Sequence, residues 1–238
     1  QPALADGIVR HAEEPVLLVA APTRDKALQA VKHIRLNILE RPALLNAEKA
    51  ENHAVKIYGD DNVFKRITIS KGEQCEGGTV VEGTYRVGHQ EQLYIEPQGM
   101  LAVPREDGGL TFIGSLQCPF YIVKALAPML GHKNINVVQA ATGGGFGGKE
   151  EYPSMLAAHC ALLAIKTGKP VKMIYRRDED LRATTKRHPS VISIRSVVND
   201  AGELQQWDAN ILMDGGAYNT LTPVVLSRAI LHLCGPYR

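Results

Sequence analysis

The chain has 238 residues, 45% of them hydrophobic, so it can bury the core of one large domain or of one domain and part of a second. Its 27 basic and 25 acidic residues are interspersed and leave a net charge of +2, which argues against a nucleic-acid partner. The longest apolar stretches, such as residues 15–22, are far shorter than the roughly 20 residues that a membrane span needs, so we expect no membrane segment and a cytoplasmic protein.

The first predicted elements form one β–α unit. Residues 14–22 are a short apolar run that favours a buried strand, and Thr23 is a candidate N-cap for the helix that follows. The helix is predicted from apolar residues at helical spacing, namely Ala27, Val31, Ile34 and Ile38. Residues 46–61 are polar and mixed, and we therefore place a domain boundary between residues 1–48 and residues 49–238.

The middle of the chain mixes strands with one helix. Residues 66–88 are predicted as strands broken by glycine-containing turns, and residues 99–115 as a hairpin that turns at residues 107–109. Residues 118–131 favour a helix, because a proline stands near its start and a glycine at its end. Residues 135–140 are a predicted strand that runs directly into a glycine-rich segment.

The last third of the chain has a similar mixture. Residues 153–168 predict a helix and residues 170–176 a strand. Residues 191–216 predict a long hairpin that turns at residues 199–202, and residues 223–235 a final helix. Because helices alternate with antiparallel hairpins, the sequence predicts an α+β fold rather than a doubly wound sheet.

The four cysteines give no sign of a metal site within the chain. Cys75, Cys118, Cys160 and Cys234 are scattered, with no CxxC pair and no matching histidine spacing. Zinc and iron–sulfur ligation both need such clustering. We therefore expect free thiols and no metal ligands in this chain.

Residues 141–153, ATGGGFGGKEEYP, half-satisfy two nucleotide-binding motifs. A P-loop needs Ser or Thr after its lysine to hold Mg²⁺, but Glu150 and Glu151 follow here. A dinucleotide fingerprint needs a helix that opens within the glycines, but the helix signal begins only at Pro153. The nearest acidic residue at a strand end, Asp178, also lies roughly 30 residues on instead of about 20. Neither nucleotide motif is favoured, although a nucleotide-binding or NAD-dependent enzyme stays an alternative.

The glycines of this segment allow another group to approach the backbone closely, beside an aromatic ring. Five glycines surround Phe146 and leave the backbone N–H groups without neighbouring Cβ atoms. A phenylalanine gains little on a surface turn, so the pattern favours the wall of a pocket.

The same segment, GGGFGGKE, resembles the glycine-rich segment of the molybdenum hydroxylases, the xanthine dehydrogenase and aldehyde oxidase family. Further segments resemble motifs of this family and occur in the family's order: residues 85–104, 116–119, 176–190, 214–219 and 226–232. Residues 8–40 are similar to the end of the small, hammerhead-like α/β domain that precedes the family's cofactor domain. The resemblance therefore implies that residues 1–48 end that small domain and that residues 49–238 begin a molybdopterin-binding domain.

The resemblance also assigns expected roles to site residues. Gln117 matches the glutamine that hydrogen-bonds a molybdenum oxo ligand, and Gly147 matches the glycine whose backbone approaches the metal centre. Gly145 and Phe146 are expected to bind the cofactor with them. Phe146 matches the phenylalanine that packs beside the substrate ring.

Two charged residues are expected to act on the substrate. Glu150 matches the carboxylate that hydrogen-bonds the heterocycle in purine-oxidising members, and Arg228 matches the arginine that stabilises the charge developing on it. Aldehyde-oxidising relatives tend to carry apolar residues at both positions. The pair therefore favours xanthine, hypoxanthine or a similar azaheterocycle, and an aldehyde-oxidising member stays an alternative.

The family's remaining parts are expected on other domains or subunits. The resemblance implies a molybdopterin cofactor, with or without a cytosine dinucleotide extension, and FAD and 2Fe–2S clusters outside this chain. It also implies a general base beyond residue 238 and a dimeric complete enzyme. We expect the isolated chain neither to hold molybdopterin tightly nor to catalyse, and a noncatalytic structural or assembly fragment is the second alternative.

Overall fold

The structure is a computed structural model that describes residues 1–75 and 77–233. Within these residues there are five α-helices, seven strands and one short 3₁₀ helix, Ala47–Lys49. In chain order the helices and strands are α1 (Arg24–Val31), β1 (Thr79–Val87), β2 (Gly99–Pro104), β3 (Leu110–Gly114), α2 (Pro119–Leu130), β4 (Ile135–Gln139), α3 (Pro153–Thr167), β5 (Val171–Ile174), α4 (Arg177–Ala183), β6 (Ser190–Val198), β7 (Leu204–Met213) and α5 (Thr222–Leu233).

The chain divides into two compact units. The first comprises residues 1–40 and 91–186, and the second comprises residues 41–90 together with the described residues from 187 onward. Both units combine helices with antiparallel strands, so the fold is mixed α+β. The predicted small domain over residues 1–48 stays a prediction.

The first unit is built on a four-stranded mixed sheet in the order β4-β3-β2-β5. β2 runs antiparallel to both β3 and β5, whereas β3 and β4 are parallel and are connected through α2. The predicted hairpin is confirmed, because Asp107 accepts a hydrogen bond from the Gly109 N–H at 2.9 Å and Gly108 adopts the left-handed φ of +78°. A glycine tolerates that φ without the steric cost that a side chain would add.

Helices α2 and α3 cover this sheet and form its core. α3 packs on β2 and β5, and α2 packs on β4 and on α3. Both helices begin with a proline, and Gly131 and Gly168 end them in the left-handed conformation, as predicted. The core consists of buried apolar side chains, mainly Met100, Leu110, Phe112, Leu116, Ile122, Leu126, Leu156, Ala157, Cys160, Ala161 and Ala164. The alanines of α3 allow the helix to lie close to the sheet.

The second unit contains a three-stranded antiparallel sheet in the order β1-β6-β7. The predicted long hairpin is confirmed: Gly202 donates its N–H to the Asn199 carbonyl at 2.9 Å, with a φ of +80°. On one face, Arg195 forms ion pairs with Glu82 at 3.3 Å and Asp208 at 3.6 Å. α5 confirms the predicted final helix, and its predicted end at residues 234–235 lies outside the described residues.

Two predictions for the first forty residues are wrong. Residues 14–22 do not form a strand, and Val16 and Leu17 remain partly exposed. α1 begins after its predicted N-cap, since the Thr23 hydroxyl accepts the Lys26 N–H, but it ends at Val31. No residue of α1 is buried, and a short helix without a packed apolar face has too little stabilisation to propagate.

Two further segments also differ from the predictions. The strands expected from residue 66 onward reduce to β1, which begins at Thr79. α4 was not predicted, although Glu179 accepts the Arg176 N–H at 2.6 Å, as an acidic residue does in the first turn of a helix. The acidic run over residues 178–180 was the available signal for this helix, because carboxylates favour a helix N-terminus.

Cys75, Cys118 and Cys160 are free thiols, as predicted, whereas Cys234 lies outside the described residues. Burial raises the pKa of the Cys160 thiol to about 12. Across residues 1–75 and 77–233, no helix is long and apolar enough to cross a membrane.

The core predicts a contrast between two phenylalanines. Phe112 is fully buried on β3, so Phe112→Ala should lower the free energy of unfolding by about 3–5 kcal/mol, through lost burial and the cavity left behind. Phe120 is 81% exposed at the start of α2, and Phe120→Ala should change it by less than about 0.5 kcal/mol. Urea titration of both variants checks this, and equal losses would contradict the core described above.

Candidate functional site in the glycine-rich loop

The glycine-rich loop, residues 143–148, connects β4 to α3 in the first unit. Its centre, Phe146, has a φ of +51°, a left-handed conformation that is unusual for a residue with a bulky side chain. The ring of Phe146 is 75% exposed, and it lies against the α-carbon region of Gly144. A strained backbone that holds a large apolar ring outward is typical of a binding site.

Gln117 holds one end of this loop. Its side-chain Oε1 accepts hydrogen bonds from the Gly147 N–H at 3.0 Å and the Lys149 N–H at 3.1 Å. The backbone N–H of Gln117 donates to the Lys149 carbonyl at 2.8 Å. A Cβ atom at Gly145 would overlap that Oε1 atom, so a larger residue here would displace the Gln117 carboxamide from its hydrogen bonds. The Gln117 Nε2 donor has no hydrogen bond within the described part of the chain and is available to a ligand.

Glu96 holds the other end of the loop. Its Oε2 accepts hydrogen bonds from the Gly143 N–H at 2.7 Å and the Ser115 hydroxyl at 2.6 Å, and it pairs with the Lys149 ammonium at 3.1 Å. Partial burial alone raises the pKa of the Glu96 carboxyl, but the hydrogen bonds from Ser115, Gly143 and Lys149 outweigh burial and lower it overall. The carboxylate is therefore held in its charged form.

A buried layer behind the loop supports Gly148. Tyr94 donates its hydroxyl proton to Asp180 at 2.7 Å, and Gln98 donates from Nε2 to the Gly148 carbonyl at 2.9 Å and to the Tyr94 hydroxyl oxygen at 2.8 Å. Asp180 also accepts the Gln98 backbone N–H at 2.6 Å. Burial first, and then the Asp180 carboxylate, raise the pKa of Tyr94, so its hydroxyl remains protonated and can donate.

Glu150 directly follows the loop, half-buried at the start of the turn into α3. Its carboxylate has no hydrogen bond or ion pair among residues 1–75 and 77–233. Burial and then the charge of Glu150 raise the pKa of the Cys118 thiol. An unpaired carboxylate therefore follows Phe146 by four residues in the chain.

Arg228 lies in the second unit, exposed on α5. Its guanidinium has no hydrogen bond or ion pair within the described chain. The first turn of its helix is tied to the segment before β6 by a hydrogen bond of 2.9 Å between His188 Nε2 and the Thr222 hydroxyl. Burial lowers the pKa of His188, which favours its neutral form.

The predicted site residues thus fall into two groups. Gln117, Gly145, Phe146, Gly147 and Glu150 are brought together around one loop of the first unit, whereas Arg228 belongs to the second unit.

The sequence reasoning did not single out the residues that hold this loop, namely the buried Tyr94, Gln98, Ser115, Lys149 and Asp180 and the partly exposed Glu96. They come from separate segments of the chain. The available signal was that residues 85–104 and 176–190, which contain four of them, resemble family motifs.

An exposed ring on a glycine-rich loop, together with an amide donor of Gln117 and a carboxylate of Glu150 that are both unpaired in the described chain, is typical of a ligand-binding surface. Residues 57–238 match the family described as molybdopterin cofactor-binding domain, and the chain belongs to this family. The predicted resemblance to the xanthine dehydrogenase and aldehyde oxidase family is thereby confirmed.

Several relatives align with nearly the whole chain. It is 36% identical to a probable xanthine dehydrogenase subunit of Bacillus subtilis, covering 100% of this chain and 33% of that protein. It is 34% identical to the nicotinate dehydrogenase large molybdopterin subunit of Eubacterium barkeri, covering 100% of this chain and 57% of that protein. The solved quinoline 2-oxidoreductase from Pseudomonas putida 86 superimposes with a TM-score of 0.80 at 25% identity, over 92% of this chain and 29% of that one. The chain therefore spans 33% and 57% of the first two relatives and 29% of the solved structure.

The contact between Gly145 and Gln117 predicts a sharp difference between two glycine substitutions. Gly145→Ala should displace the Gln117 carboxamide and lower the free energy of unfolding by about 1–3 kcal/mol, because the added methyl group has no room. Gly99→Ala should be tolerated, since its Cβ would meet only Ile174 Cγ1 at an ordinary 3.6 Å. Thermal unfolding with amide exchange at Gly147 checks both variants. Unchanged protection of Gly147 in Gly145→Ala would contradict the described loop.

Proposed function

We propose that this chain supplies the substrate-facing wall of a molybdenum hydroxylase that oxidises a purine or a related azaheterocycle. The observation that carries the proposal is one loop region that combines the exposed ring of Phe146, the amide donor of Gln117, whose Oε1 holds the loop, and, four residues after Phe146, the carboxylate of Glu150, which is unpaired in the described chain. A purine such as xanthine offers a flat face to such a ring and ring N–H groups to such a carboxylate. An aldehyde offers no N–H group for the carboxylate to bind.

The residues of the loop fit a molybdopterin-type group. The Gln117 Nε2 donor can reach an oxygen ligand, and the backbone at Gly147 has a φ of +90° with open space where a Cβ would stand. Gly145 keeps the loop close to Gln117 and so fixes the direction of that donor. Neutral hydrogen-bond donors and a glycine backbone suit an anionic, oxygen-rich group. In the described chain no carboxylate accepts a hydrogen bond from the Gln117 Nε2 donor.

When bound, the molybdenum cofactor supplies the two-electron oxidation of the substrate, with water as the source of oxygen. The chain's own residues orient the substrate: Phe146 packs along the ring and excludes water from one face, and Glu150 accepts hydrogen bonds from ring N–H groups. Arg228 provides a permanent positive charge, which stabilises negative charge that develops on the heterocycle. We propose this role for Arg228 from its match to the family motif and its free guanidinium.

The names of the three relatives above support a heterocyclic substrate, because xanthine, nicotinate and quinoline are all rings that contain nitrogen. A 30% identical relative, aldehyde oxidase 2 of Cavia porcellus, supports the aldehyde alternative. The share of those proteins that this chain covers supports further domains or subunits, which we propose carry the 2Fe–2S clusters, FAD, the remaining cofactor contacts and the general base. We also propose that residues 1–48 end the preceding small domain and that the complete enzyme is a dimer.

The proposal predicts that two substitutions slow the oxidation of a purine and leave the oxidation of an aldehyde unchanged. In the complete protein loaded with its cofactor, Glu150→Gln or Arg228→Met should lower kcat/KM for xanthine by about 100-fold, because each removes an interaction that is strongest in the transition state. Neither should lower kcat/KM for a simple aromatic aldehyde. Glu106→Gln, an exposed acid in the β2–β3 turn, is the matched control and should leave both rates unchanged.

Steady-state kinetics with both substrates, together with molybdenum and pterin analysis, distinguish the alternatives. A metal-loaded protein that turns over aldehydes and leaves purines untouched would refute the substrate assignment. A complete protein that carries no molybdopterin would refute the function itself and favour a structural role.

A further inference from the structure

The most unusual buried group in the first unit is the ammonium of Lys149. Its side chain is 0% exposed, although the residue lies between an exposed loop and the half-buried Glu150. A lysine is almost never fully buried unless it is paired, because its charge loses the stabilisation of water. An apolar side chain of similar length would avoid that cost, so the charge itself needs an explanation.

Three partners surround this ammonium. It donates to the Ser115 hydroxyl at 2.8 Å, pairs with Glu96 at 3.1 Å and lies over the Tyr94 ring at 4.6 Å from its centroid. The hydroxyl of that tyrosine in turn donates to the buried Asp180 carboxylate. The positive charge is thus balanced by the Glu96 carboxylate in direct contact and faces the Tyr94 ring, whose hydroxyl is held by Asp180.

The ion pair with Lys149 fixes the orientation of the Glu96 carboxylate. The Glu96 side chain is 42% exposed and could otherwise turn to water, but the ammonium and the Ser115 hydroxyl hold its Oε2 atom in place. That same atom accepts the Gly143 N–H, which begins the glycine-rich loop. The backbone of Lys149 ends the loop through its two hydrogen bonds with Gln117. One residue therefore restrains both ends of the segment that carries Phe146.

We propose that Lys149 is a positioning residue: its buried ammonium holds Glu96 as the acceptor for Gly143 and thereby fixes the Phe146 ring for the substrate. This inference has two halves. The loop half, that Lys149 holds the loop through Glu96, is independent of the proposed function. The substrate half, that the loop positions Phe146 for the substrate, rests on the proposed function. Loss of the charge should release the loop locally, because Glu96 would lose the cation that holds its Oε2 atom. The helix α3 that follows should keep its own buried contacts.

Hydrogen exchange on the complete protein without substrate tests the loop half. In Lys149→Met, amides in residues 141–150 should exchange about tenfold faster, while those of α3 should be unchanged. Glu96→Ala should give the same local effect, and the double variant should add little to it, because both act through one hydrogen bond. Lys166→Met, an exposed lysine on α3, is the matched control and should change neither segment. Equal loosening of the loop and of α3, or an additive double variant, would overturn the proposal.

Ser115→Ala keeps the experiment informative if Lys149→Met does not fold. It removes one of the partners of the ammonium and should give a smaller increase in the exchange of residues 141–150 only. No change in the loop of folded Ser115→Ala would overturn the proposal.

Kinetics test the substrate half. Lys149→Met should raise KM for the heterocycle about tenfold with little change in kcat and in pterin content, because the ring is misplaced and the cofactor contacts of Gln117 remain. A fall in pterin content with unchanged KM would overturn the substrate half. If the unsubstituted protein oxidises no heterocycle, the proposed function fails, and the exchange result still decides the role of Lys149.

Discussion

The glycine-rich loop depends on two acceptor oxygens, Oε2 of Glu96 and Oε1 of Gln117. Backbone N–H groups that are freed from strands and helices must find acceptors, and a loop of six residues with five glycines has no regular structure of its own to provide them. The two side chains supply those acceptors from either end. The left-handed Phe146 between them is stable because the hydrogen bonds on both sides over-determine its conformation.

The four-stranded sheet brings Gln117 and Ser115, the hydroxyl partner of Glu96, to the loop. Ser115 and Gln117 follow the end of β3, and the loop follows the end of β4, its parallel neighbour. Because parallel strands end at the same edge of a sheet, the crossover through α2 places both chain segments side by side. The packing of α2 and α3 on the sheet then holds that edge, so the core and the site share the same elements.

The elements with strong local signals were predicted well, and those that depend on burial were not. Helices α2 and α3 have proline at the start and glycine at the end, and both hairpins have turn residues that need a left-handed φ. The apolar run before Thr23 looks equally strand-like, but it has no neighbouring strand to pair with in the described chain. Pairing is a property of the tertiary structure, so an isolated apolar run does not determine it.

The sequence by itself determined the residues that we propose face the ligand. The glycines, Phe146, Gln117 and Glu150 form ordered motifs, and their chemistry is local: freedom of the backbone, one ring, one amide and one carboxylate. Only the tertiary structure decided which residues hold them. The burial of Lys149 and its contacts with Glu96, Ser115 and Tyr94 join segments that are 34 to 55 positions apart, and no periodicity in the sequence encodes such distances. A lysine next to glycines is normally solvated, and only the folded sheet edge turns it into a buried charge.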